Sequence, residues 1–192
     1  MAITKIQCLN EAHTGNPAAH LKNALVYIQN PEKTEENVLV GSINCLPDTA
    51  FEQMMDTKVT FGKTNKRQGY HIIISFAPGE ATEEQALDIV ARFAQEYLKD
   101  KYEAVYAVHN DKKHMHGHIV FNTITISGQH QLQSLKRLQL YFCRLEQSRT
   151  GISINDMKDR LVADGYDKDK IEQQLYQLVF MHVVQKILHL KP

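Results

Sequence analysis

YEAVYAVHNDKKHMHGHIVFNTITI, residues 102–126, decides the fold. Residues 102–109 and 115–126 are rich in β-branched and aromatic side chains and read as two strands, joined by the tight polar link Asn110-Asp-Lys-Lys113. Strands joined so closely must pair antiparallel. Upstream, residues 70–76 form a third strongly patterned strand that Pro78-Gly79 breaks. Thr82-Glu-Glu-Gln85 is a capping box for an amphipathic helix to about Lys99, with Ala86, Ile89, Val90, Phe93, Ala94 and Tyr97 on its apolar stripe. Before these come a strand at 3–9, a helix opened by Asn16-Pro17 and stopped near Asn30-Pro31, a strand at 38–43, and a helix opened by Pro47-Asp48. The order β-α-β-α-β-α-β-β predicts an α+β class: a central antiparallel sheet flanked by helices.

After Gly128 the character changes. Residues 131–147 read as a basic, Gln/Leu-rich helix, Ser153 caps a helix to about Ala163 that Gly165 ends, 168–180 form another helix, and 181–188 read as a strand. That order suits either a winged-helix-like segment or a plain helical cap. The expected organisation is a core at 1–128 and a helical C-terminal segment at 129–192.

The 192 residues suffice for one full domain plus a small appendage. Apolar types at 43% and charged types at 23% exclude a disordered or fibrous chain. No apolar run is long enough to span a bilayer, and residues 1–8 lack a signal peptide's apolar core, so no membrane insertion is expected. Three scattered cysteines (Cys8, Cys45, Cys143) without CxxC spacing read as reduced thiols of a cytoplasmic protein. The net charge of zero conceals −3 over residues 1–128 and +3 over 129–192, which leaves room for a local basic groove.

Four of the 10 histidines fall between positions 109 and 118. Residues two apart on a strand share a face, so His114, His116 and His118 project together. With the hairpin closed at Asn110–Lys113, His109 lies opposite His114 and joins them. Imidazoles so close cannot all be protonated cheaply, and neutral imidazole is the commonest metal ligand. The cluster reads as a metal site, with Asp111 placed to orient one ring.

The pattern H-x-D-x-x-H-x-H-x-H-x-x-x-N over residues 109–122 resembles the third motif of the relaxases, the MobA/VirD2-like mobilisation nucleases of the HUH endonuclease superfamily. Ala24-Leu-Val-Tyr27-Ile-Gln-Asn-Pro-Glu-Lys33 resembles their first motif, and His71-Ile-Ile-Ile-Ser75-Phe their second. The resemblance covers roughly residues 1–128 and implies roles for the matching positions. Tyr27 would be the nucleophile, whereas Tyr70, Tyr102 and Tyr106 lie on strands and read as core or sheet surface. His109, His116 and His118 would hold a divalent ion, Mg or Mn in cells, with Zn or Ni binding in vitro. His114 and Asn122 would support the ligands, Asp111 or a neighbouring histidine would take the phenolic proton, and Ser75 would reach DNA phosphate.

The implied activity is nicking and rejoining of single-stranded DNA at a plasmid or transposon transfer origin through a 5′-phosphotyrosyl intermediate. Relaxosome accessory proteins and a coupling protein are the implied partners. Lys63, Lys66, Arg67, Lys112 and Lys113 are candidates for phosphate contact from polar loops. A rolling-circle replication initiator would share the chemistry, and a catalytically silent DNA-binding remnant would share the fold. The C-terminal part does not look like the usual continuation, which suggests a truncated or rearranged copy.

Overall fold

The computed structural model describes residues 3–9, 16, 18–65, 67–129, 143–144, 147–148, 150–171, 174–175 and 179. Contacts divide the chain into two units, Met1–Gln133 and Ser134–Pro192. The first unit is α+β. Its strands β1 (Ile3–Leu9), β2 (Val40–Ile43), β3 (Gly69–Ser75), β4 (Tyr102–His109) and β5 (His116–Thr125) form one sheet in the order β1-β3-β5-β4-β2, antiparallel throughout. Helices α1 (Ala19–Ile28), α2 (Ala50–Thr60) and α3 (Glu83–Leu98) complete it.

Two faces of the sheet are covered because the central strands alternate between two sets of apolar residues. On one face Val105, Ala107 and Val120 pack with Leu21, Leu25 and Ile28 of α1 and with Ala50 and Met54 of α2. On the other, Val90 of α3 lies directly over Gly117 of β5, where a β-carbon would collide with the valine methyl. The α3 capping box forms as the sequence predicts, with Thr82 and Gln85 satisfying each other's backbone N–H groups. Helix α1 begins two residues later than its Asn-Pro signal. The Asn16 side chain accepts from Ala18 N at 3.1 Å, so asparagine makes a turn that precedes the helix.

The β4–β5 link is longer than the sequence suggested. His109 pairs with His116, so residues 110–115 form the connection and His114 belongs to it rather than to the strand. Backbone pairing accounts for the difference: Met115 O is taken by Phe76 N beyond the end of β3, and Asn110 N by Lys33 O.

Asn122, expected to support the metal site, lies elsewhere. It pairs with Gly69 at the far end of β3, six residues from Ser75, or about 20 Å along the strand. There it sits in a buried polar knot. Lys58 of α2 donates to the Asn122 carbonyl and to Thr123 Oγ1, while Asn122 Nδ2 donates to Glu103 Oε2 at 2.7 Å and Met54 O at 3.2 Å. Thr57 Oγ1 closes the second carboxylate oxygen at 2.8 Å. Burial pushes the Lys58 ammonium down to about 8 against the pull of Glu103. Asn122 therefore fastens α2 to the sheet.

In the second unit, α4 (Ile154–Ala163) is capped by a reciprocal Ser153–Asp156 pair and ends before Gly165 at φ 89°. Cys143, Leu175 and Val179 pack with Ile154, Met157 and Leu161. A short 3₁₀ turn covers Lys168–Lys170. Most of the helices expected at 131–147 and 168–180, and the strand at 181–188, lie outside the described residues, as does Lys66.

Asn122→Ala leaves Lys58 and Glu103 short of partners and is expected to cost about 3 kcal/mol in denaturant unfolding. Gly117→Ala is expected to cost about 1–3 kcal/mol through its clash, with Val90→Ala in the same chain recovering part of the loss.

Candidate active site

Three strands and one helix meet at the site because their registers align. Ser75, Ile73 and His71 of β3 pair with His116, His118 and Val120 of β5, and His109 and Ala107 of β4 pair with His116 and His118. Paired residues share a face, so all the histidines look toward α1. Helix α1 buries Leu21, Leu25 and Ile28, and this rotation leaves Tyr27 at its edge, 46% exposed. The Tyr27 ring stands edge-on to His109 at 5.2 Å and to His118 at 5.6 Å. By contrast, Tyr70 and Tyr102 are buried and Tyr106 covers Gly41.

The rings of His109 and His118 are 4.3 Å apart and those of His116 and His118 6.3 Å. Each has one nitrogen tied. His109 Nε2 contacts Ile28 O at 3.1 Å, and a carbonyl can only accept, so this nitrogen carries the hydrogen and Nδ1 keeps the lone pair. His118 Nδ1 meets His71 Nε2 at 3.0 Å, and His116 Nδ1 meets Ser75 Oγ at 3.0 Å. With those two nitrogens as donors, Nε2 of both rings is free to bind an ion. This is the outer-shell arrangement that fixes tautomers in histidine metal sites. Among the described residues, no three His, Cys, Asp or Glu side chains stand ready to hold an ion without adjustment.

Electrostatics keeps these rings neutral. Burial, then the charge of His109, pushes His71 down to about 4. Burial drives His118 far down, reinforced by His109 and His71. His109 and His116 are also lowered, chiefly by burial, although the Ile28 carbonyl opposes the shift at His109.

Other expected residues are placed less uniformly. His114 lies against His116, ring centroids 4.5 Å apart. Asp111 is paired with Lys33 at 3.3 Å; burial would raise its carboxyl, but hydrogen bonding and charge from Lys33 prevail and lower it. The Lys33 ammonium sits over the Tyr27 ring, 5.0 Å from its centroid. Lys112 and Lys113 are exposed on the connection beside the site. Lys63 and Arg67 are not brought to it: they precede β3 at the end opposite Ser75, and Arg67 lies on Tyr70, 3.3 Å from its hydroxyl. Ser75, expected to face phosphate, is engaged with His116.

Two residues escaped the sequence reading. His71 shares strand parity with Ser75 and could have been found once β3 was paired with β5. Lys33 follows the tyrosine by six positions, and nothing local shows that a 3₁₀ turn at Pro31–Lys33 would bring it back over the ring.

A family model for the MobA/VirD2-like relaxase nuclease domain matches residues 27–149, beginning at Tyr27 and running past Gly128. Two Staphylococcus aureus proteins called Protein rlx are 34% identical to this chain. One match spans 105 residues, 55% of this chain and 32% of the relative; the other spans 116, 60% and 36%. The group II intron-interrupted relaxase LtrB of Lactococcus lactis subsp. cremoris is 31% identical over 133 residues, 56% of this chain and 24% of its own. The chain thus covers about a third or less of these relatives' length. No helix among the described residues is long and apolar enough to cross a membrane.

The depressed histidines set a pH dependence for the metal-free protein. Unfolded His71 protonates near 6.5 and folded His71 near 4, so below 6.5 the unfolded state binds the extra proton. The stability it contributes is complete above pH 6.5 and falls away toward pH 4. Thermal unfolding in the presence of chelator should therefore show a lower midpoint at pH 5 than at pH 7, and His71→Leu should flatten that slope.

Proposed function

The chain belongs to the MobA/VirD2-like relaxase nuclease family, and from that premise we propose that it nicks and rejoins single-stranded DNA through Tyr27. The observation that carries the reading is the Tyr27 ring against His109 and His118, a phenol and two neutral imidazoles that approach from positions more than 80 residues apart in sequence.

In the proposed reaction Tyr27 Oη forms a bond to the scissile phosphorus as the bond to the 3′ oxygen breaks. The phenolic proton passes to water, and the leaving oxygen takes a proton from water as a 3′-hydroxyl. The 5′-phosphate stays on Tyr27, so the phosphodiester bond energy is conserved and the reverse attack rejoins the strand. His109 Nδ1, His116 Nε2 and His118 Nε2 would hold a divalent ion, which when bound polarises the phosphate oxygens. Three imidazoles favour Zn or Ni by affinity, whereas cellular supply favours Mg or Mn as the working ion. Ile28, His71 and Ser75 would tie the other ring nitrogens and so leave these three their lone pairs. Lys33 supplies positive charge beside the ring, and Asp111 acts by holding Lys33 in place rather than as the base. Lys112 and Lys113 would steer the strand. A transfer origin of a mobile element is the proposed target.

Incubation with Mn²⁺ and random-sequence single-stranded oligonucleotides, followed by a denaturing gel, should give a protein–DNA adduct. Tyr27→Phe should abolish it, and His118→Ala should reduce it about a hundredfold or more. Metal binding that survives in Tyr27→Phe with no wild-type adduct on any strand would refute the transesterase.

A further inference from the structure

His109, which ends β4, and the two residues after it grip the segment that follows Tyr27. His109 Nε2 donates to Ile28 O at 3.1 Å, Asn110 N donates to Lys33 O at 3.0 Å, and the Asp111 carboxylate meets the Lys33 ammonium at 3.3 Å. Lys33 is thus held at both ends, its carbonyl by Asn110 and its ammonium by Asp111. In that position the ammonium lies 5.0 Å from the Tyr27 ring centroid.

The turn that continues from Lys33 is strained. Glu35, Glu36 and Asn37 stand consecutively at φ 48°, 52° and 71°, a left-handed run that side-chain-bearing residues avoid. Buried Thr34 ties the turn from within, Oγ1 donating to Asn30 O at 3.0 Å and accepting from Asn37 N at 3.3 Å.

A second tie comes from the Asn110 side chain. Its amide nitrogen donates to Glu35 Oε1 at 3.1 Å and to Glu83 Oε1 at 2.9 Å. An amide N–H₂ carries two hydrogens, so each carboxyl group receives one, and bonds to charged acceptors are the stronger kind. Glu83 opens α3, where the Thr82–Gln85 capping box fixes the helix start. One nitrogen therefore joins the strained turn, the β4–β5 connection and α3.

Without that donor, two carboxyl groups would face each other unbridged. Hydrogen bonding with Glu83, and then its charge, already raises the Glu35 carboxyl above its ordinary range. Like charges so placed repel. Glu83 is anchored in a helix, so the piece that gives way is the strained turn, with Lys33 two residues from Glu35.

We propose that Asn110 is a positioning residue: by clasping Glu35 to Glu83, its side-chain amide keeps Lys33 over the Tyr27 ring while the tyrosine attacks phosphate. The inference rests on Tyr27 as the attacking group, and Asn110 acts through Lys33 rather than on DNA.

Two readouts test it on wild type, Asn110→Ala, Glu83→Gln and the double variant. The first is the NMR signal of the Lys33 ε-methylene in Mg²⁺ buffer, which the ring beneath shifts upfield and which is assigned by its return to the bulk lysine position in Tyr27→Leu. The second is the rate of adduct formation with Mn²⁺ and random-sequence single-stranded oligonucleotides. Asn110→Ala should move the signal to the bulk position and slow the adduct about tenfold at saturating DNA, with the half-saturating concentration changed less than about twofold. Glu83→Gln alone should leave both readouts near wild type. Added to Asn110→Ala it should restore both, because the new amide donates to Glu35 in place of the lost one. A shifted signal that persists in Asn110→Ala, a loss that Glu83→Gln does not reverse, or an adduct rate indifferent to where the signal lies would overturn the proposal. A signal lost in Asn110→Ala and regained in the double variant, with no wild-type adduct on any strand, would leave the clasp standing and refute only the nicking reading.

Discussion

Neutral imidazoles are brought together here by burial against a packed helix, and the rest of the site depends on that desolvation. A protonated ring at His118 would face His109, His71 and His116 at close range in a poorly solvated setting. Burial therefore disfavours charging the rings, and an uncharged ring has a lone pair to offer. The same burial supplies the partners that point those lone pairs: a main-chain carbonyl at the end of α1, a serine hydroxyl and a further histidine on β3. Helix α1 thus shields the rings, orients His109 through Ile28 and presents Tyr27.

The position of α1 is held by packing that reaches the site itself, where buried Ile28 and Ala107 lie beside His109 and His118. The anchor is the apolar layer beneath α1 and α2, supplemented at the far end by the buried Lys58–Asn122–Glu103 knot. A buried charged network is poor evidence for net stability but strong evidence for one arrangement, since any shift of α2 would strand a charge. On the opposite face, the bare α-carbon of Gly117 lets Val90 approach, so the strand carrying His116 and His118 lies close under α3. The glycine between His116 and His118 therefore serves packing on one face while its neighbours join the histidine cluster on the other.

Around Tyr27 the charges form a graded set. Lys33 lies over the ring, and Asp111 balances Lys33.

The strands, their alternation and the α3 capping box were legible in the sequence because period-two patterning and capping are local. So was the reading of His109, His116, His118 and Tyr27 as one set, which rested on motif resemblance as much as on parity. The hairpin register was not legible: Asn110–Lys113 is a sufficient turn by composition, yet hydrogen bonds to Lys33 and Phe76, distant in sequence, lengthen it and move His114 off the strand. Asn122 shares its parity with His116 and His118, but parity assigns a face and says nothing about distance along it. Only the packing of α2 shows that this residue belongs to a structural knot. His71 and Lys33 likewise join the site only once β3 has paired with β5 and the chain after α1 has turned back on itself. The sequence by itself determined which residue types could do the chemistry and which face of each element they occupy, because those follow from local periodicity. The tertiary structure alone decided which of them meet, because register, helix placement and desolvation are set by contacts between residues far apart in the chain.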